Sequence, residues 1–203
     1  MNGWSLTKFT VVATMLAAPL SVNATTLLNV DLGTVNQITV SATSGASSAT
    51  VSGSDITGIY LAGFFTSLTA GIDETLVSGN LTSAMNPSGA FPLIFTADTA
   101  DTGLNLFSLS SDGTLDFVSG ELAFEGSATW TVDAADYAAL LASNLSGDLF
   151  FPADDIGDLP TATLIGEWAR VDAVAAVPVP AAGLLLGGAL FGFGVFGRRA
   201  QKA

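Results

Sequence analysis

The side chains of this protein that could move a proton or hold an ion are almost all carboxylates. Eighteen Asp and Glu stand against five Lys and Arg in 203 residues, with no His and no Cys. That composition excludes Cys/His zinc sites, haem ligation by His, thiol or imidazole catalysis, and disulfides. Ser and Thr are plentiful, but residues 25–177 contain no Lys, His or Cys to activate them. The close carboxylate sets are Asp98/Asp101, Glu121/Glu125 and Asp154/Asp155/Asp158. Hydrolysis of a glycosidic bond needs two such groups roughly 5–9.5 Å apart across a cleft. Nothing in the spacing supplies a cleft, so these read first as solvated surface acids.

Calcium is the one cofactor the acids fit, because Ca²⁺ takes several oxygen ligands and tolerates loose geometry. Phe151-Pro152-Ala153-Asp154-Asp155-Ile156-Gly157-Asp158 gathers three carboxylates in a Pro/Gly loop, and Asp98 and Asp101 sit in a second loop ending at Gly103. Neither follows the D-x-[DN]-x-[DN]-G spacing of a dedicated calcium loop. Thirteen aromatic residues lie between residues 25 and 177, among them Phe64, Phe65, Trp130, Phe150, Phe151 and Trp168. Exposed, they would stack on the sugars of an extracellular polysaccharide; otherwise they fill a core.

The elements that must position these residues are mostly strands. Thr, Val, Ser, Phe and Gly are abundant, while Lys, Arg and Gln are scarce. Strands are expected at 27–32, 36–41, 58–68, 93–97, 104–110, 114–118, 121–125, 128–132, 149–151 and 162–171. Ser111-Asp112-Gly113 marks a turn that would join 104–110 and 114–118 as a hairpin. One helix is expected over 134–143, capped by Asp133, with Asp136 at its favourable end and Tyr137, Leu140 and Leu141 on its apolar face. Residues 45–53 read as a low-complexity loop. The fold class is therefore mainly β, an antiparallel sandwich or jelly roll with one short helix.

The two ends are different in kind. Lys8 precedes about ten mostly apolar residues, and Val22 and Ala24 stand at the −3 and −1 positions of a signal-peptidase site after Ala24, with Ala18 as the runner-up. At the other end, Val179 to Gly197 is free of charge, enough for a transmembrane helix of about 28 Å. Arg198, Arg199 and Lys202 follow as the basic stop, which holds that end in the cytoplasm and the bulk of the chain outside. Gly183/Gly187 and Gly188/Gly192 have the small-xxx-small spacing of close helix approach, although glycine also simply weakens the apolar run. The expected organisation is signal peptide 1–24, exported domain 25–171, linker 172–177 and tail 178–203. All 18 carboxylates fall between residues 25 and 177 with a single cation, Arg170. Such a body repels nucleic acid.

Val177-Pro178-Val179-Pro180-Ala181-Ala182, the apolar span and the basic finish together resemble a PEP-CTERM-type sorting signal, in its V-P-L-P-A variant with Val179 in the Leu position. The resemblance covers about the last 27 residues. It implies export in a Gram-negative bacterium, passage through the inner membrane, and recognition by an exosortase-like transpeptidase that cuts near the Pro motif. An uncleaved single-pass anchor is the alternative fate. At a surface bearing anionic lipopolysaccharide, the acidic body would be repelled unless divalent cations screened it. Residues 128–141 with Leu164-Ile165-Gly166-Glu167-Trp168-Ala169-Arg170 also resemble the C-terminal half of a CHRD domain, where a helix precedes a strand ending in Gly-Glu-x-x-Arg. The histidines typical of that family are absent. The function expected is that of a non-catalytic envelope or biofilm-matrix protein. A binding module for Ca²⁺ or polysaccharide is the rival reading.

Overall fold

A computed structural model describes residues 25–69, 71–87, 91, 93–96, 101–108 and 113–171. The expected signal peptide with its Ala24 site, the expected sorting tail from Val177 to Lys202, and Asp98 lie outside these residues. Among the described residues, no helix is long and apolar enough to cross a membrane.

Period-2 alternation builds the best-formed strands. In β2 (Gln37–Ala42) Ile38 and Val40 point inward, and in β11 (Ser127–Val132) Ala128, Trp130 and Val132 do so. These belong to one nine-stranded sheet whose other members are β1 (Thr26–Asp31), β4 (Ile59–Leu61), β5 (Glu74–Gly79), β7 (Leu93–Phe95), β8 (Leu104–Phe107), β12 (Ser146–Phe151) and β13 (Thr163–Arg170). Its order is β5-β11-β2-β1-β13-β12-β4-β8-β7. The sheet curls almost into a barrel, so that edge strands β5 and β7 approach each other and the Glu74 carboxylate accepts a hydrogen bond from the Ile94 backbone. Two small ribbons complete the body: β3 (Val51–Ser54) with β9 (Thr114–Phe117), and β6 (Thr82–Ser83) with β10 (Phe124–Glu125). The helix α1 (Ala134–Leu141) begins where expected, its N-cap Asp133 accepting from the amides of Ala135 and Asp136.

The mainly β class with one short helix holds, but the arrangement is not wholly antiparallel. The first and last strands, β1 and β13, pair in parallel at the middle of the sheet, with Leu28 opposite Trp168 and Val30 opposite Arg170. A nearly closed sheet needs partners on both sides of every inner strand, and the chain ends supply this one. The expected hairpin around Gly113 does not form either. β8 already has β4 on one side and β7 on the other, so β9 turns away to β3. Asp55 holds that parting in place, donating its amide to Gly113 and accepting from the Ser108 amide, both at 3.0 Å. The low-complexity loop 45–53 thus contributes β3. The long strand expected over 58–68 stops after Leu61, at a turn with Gly63 in the left-handed region.

The core lies inside the curled sheet. Trp168 is fully buried 4.8 Å from the Phe64 ring, and its indole N–H reaches the Ala62 carbonyl at 3.3 Å. Phe117 stands 5.0 Å from Phe151 and 5.1 Å from Phe124. Arg170 donates from Nη1 to the carbonyls of Leu141 (3.0 Å) and Ser143 (3.1 Å), capping the negative end of α1. Replacing Trp168 by Ala should cost about 3–5 kcal/mol, the usual range for a buried Trp. Urea denaturation of residues 25–171 reads this directly, and a loss under about 1 kcal/mol would contradict the packing described.

Candidate functional site

The sequence presents two separate acidic loops, and the fold stacks them. Residue 60 of β4 and residue 105 of β8 are cross-strand partners on the side of the sheet away from Leu61 and Leu104. Both are nonetheless buried, because residues 152–162, connecting β12 to β13, lie across them as a strap. Asn105 donates from Nδ2 to the carbonyls of Thr57 (2.8 Å) and Ala153 (3.2 Å), tying the strap to the sheet. Asp101 makes the second tie. Its Oδ1 accepts from the Tyr60 hydroxyl at 2.7 Å and from the amides of Thr102 and Gly103, and its Oδ2 accepts from the Ile156 amide at 2.9 Å.

Tyr60 is consequently locked in its neutral form. Burial raises its pKa well above the usual tyrosine value, and the hydrogen bond and charge of Asp101 add to that. Gly103 is required here, since a Cβ on it would fall 1.9 Å from Cζ of Tyr60. Asp101 is therefore a buried structural carboxylate and not a surface ligand. The aromatic-rich strands carry no comparable platform: Phe64, Phe65, Trp130, Phe151 and Trp168 are all core residues, and Phe150 is half-buried.

Above Asp101 the strap itself carries Asp154, Asp155 and Asp158, each offering a carboxylate oxygen within 4.8 Å of the others. The strap folds this way because its acids bond its own backbone. Asp155 Oδ1 accepts from the Gly157 amide at 2.5 Å and Asp158 Oδ2 from the Asp154 amide at 3.2 Å, while the Asp158 carbonyl accepts from Thr161 and Ala162. These turns gather like charges. Asp154 is raised from the ordinary carboxylate value, first by burial, then by its hydrogen bond to and charge repulsion from Asp158, then by Asp155. The arrangement offers a few hard oxygen ligands to a divalent cation.

A further carboxylate that sequence reading passed over is Asp116 in β9. It accepts from the Ser52 hydroxyl and from Asn86 Nδ2 (3.2 Å), while Asn86 Oδ1 accepts its amide at 2.7 Å. Those donors lower its pKa. Partners 64 and 30 positions away leave no local sequence signal. Glu121 and Glu125, the other proposed pair, are both exposed.

Because the folded state raises Asp154, it holds that proton more tightly than the unfolded chain does. Stability tied to this group therefore falls as pH rises from the ordinary carboxylate value through the raised one. Thermal melts of wild type and Asp154→Asn between pH 4 and 7 should differ in slope, with the wild type losing more on going to neutral pH; parallel curves would contradict the repulsion described. No family model matches this chain, and neither does any curated protein or solved structure.

Proposed function

We propose that residues 25–171 are the cargo of a bacterial surface-sorting route: an exported, non-catalytic β domain of the envelope or extracellular matrix. Signal peptidase frees it after Ala24. Its tail, with Val177-Pro178-Val179-Pro180-Ala181-Ala182 as the motif and Arg198, Arg199 and Lys202 as the stop, passes through the inner membrane to an exosortase-like transpeptidase. The observation that supports this is the match of boundaries. β1 starts at Thr26, just past the proposed first cut, and β13 ends at Arg170, just before the linker. Neither boundary cuts a strand among the described residues. Three of its acids already serve the fold, Asp101 buried under the strap and Asp155 and Asp158 accepting from the strap's own backbone.

Two measurements on the native protein test this reading. Mass spectrometry should find Thr25 at the N-terminus of the released form, and replacing Pro178 and Pro180 together should leave the protein in the inner membrane. An intact Met1, or unchanged release of the double variant, would overturn it.

A second reading, a cation-binding module held by an uncleaved tail, is favoured by the proximity of Asp154, Asp155 and Asp158. Calcium bound there would relieve the repulsion that raises Asp154. Binding of the folded state alone raises stability with ligand concentration. The melting temperature should then climb with millimolar CaCl₂ in the wild type and stay flat in Asp154→Asn/Asp158→Asn. Equal behaviour of the two proteins would eliminate the site.

A further inference from the structure

The body has two unlike ends along the β12–β13 pair. At one end, where Phe151 faces Thr163, is the strap with its three acids. A six-residue strand away, about 20 Å, Ser146 faces Ala169 and the chain leaves the sheet. Several elements meet at this exit end. The Val171 amide reaches the Val30 carbonyl, the Arg170 amide reaches Leu145, and Tyr137 of α1 donates its hydroxyl to Leu32 in the β1–β2 turn. Here Leu145 is 68% exposed, Leu141 47% and Val171 43%, all three close to Arg170, and Val35 in the β1–β2 turn is 73% exposed.

The chain itself says what these residues face. Eight steps separate Val171 from Val179, where the apolar tail begins. Fully extended, they reach about 28 Å, of which headgroups occupy roughly 5–7 Å. The exit end is thus confined within about 20 Å of the membrane surface whenever the tail spans it. A short tether gives an effective concentration in the millimolar range, so a weak contact is enough to be populated. Arg170, the single cation between residues 25 and 177, is at this end, and the densest acids are at the other. Asp31 and Asp133, both exposed, and the half-buried Asp136 share the exit end, so the surface that fits is zwitterionic and not strongly anionic.

We propose that the exit end, through Val35, Leu141, Leu145 and Val171, rests on the lipid surface while the tail is in the membrane, holding the acidic strap outward. This rests on the tail being membrane-spanning, and the experiment separates the two. The chain has no cysteine, so single Val35→Cys, Leu145→Cys, Ile156→Cys and Phe193→Cys variants of the full chain can each carry one fluorophore. They are reconstituted in phosphatidylcholine vesicles containing lipids whose nitroxide quencher sits either near the headgroup or deep in the bilayer. The Phe193 label should be quenched by the deep nitroxide. Labels on Val35 and Leu145 should be quenched by the shallow one at least threefold more than the label on Ile156 in the strap. A quenched Phe193 with Val35 and Leu145 no different from Ile156 overturns the lipid contact alone, and leaves a protein partner to cover that end. An unquenched Phe193 overturns both the contact and the spanning tail.

Discussion

Residues 25–171 carry seventeen carboxylates and one cation, so ion pairs cannot hold them together, and that constraint orders the rest of the structure. A carboxylate removed from water needs compensation; here, among the described residues, amides and hydroxyls provide much of it. Acids nearer the surface bond the backbone as well, Asp31 accepting from the Gly33 amide, Asp133 from two helix amides, and Asp136 from the Asp73 amide. Asp101 collects three amides and a phenol. Each such carboxylate becomes a backbone fastener. The acids stitch loops to strands, and cohesion falls to the apolar interior.

The interior can carry that load because the sheet wraps around it. Pairing β1 with β13 places both terminal strands at the centre of the sheet, each with a neighbour on either side. Neither can fray without opening the ladder next to it. The same closure brings Trp168 and Phe64 into contact from opposite parts of the chain and leaves the strap 152–162 to cover the outward polar pair Tyr60 and Asn105.

Much of this was legible in the chain. Alternation located β2 and β11 to within a residue, and Asp133 located α1, because those signals are local. β5 escaped notice because Glu74–Gly79 is largely exposed on both faces of an edge strand and so shows no period. The false hairpin at Gly113 had sound turn chemistry. It failed because β8 had no free edge, a fact about β4 and β7 that lies far off in sequence. The acids divide likewise. Asp154, Asp155 and Asp158 were visible as a cluster because they are neighbours in the chain. That Asp101 sits beneath them depends on pairings with Tyr60, 41 positions away, and Ile156, 55 positions away.

Asp116 and Asp154 show how the same residue type can serve opposite ends. Asp116 accepts hydrogen bonds from Ser52 and Asn86, which stabilise its ionised form and pull its pKa down. Its contribution to stability is present above the ordinary carboxylate value and is lost as pH falls through the lowered one. Asp154 is raised first by burial, then by its hydrogen bond to and repulsion from Asp158 and by the charge of Asp155, so its pKa moves the other way. A cation brought to Asp116 would compete with hydrogen bonds already made. Brought to Asp154, it would remove a repulsion already present. The strap is thus where a positive ligand gains most.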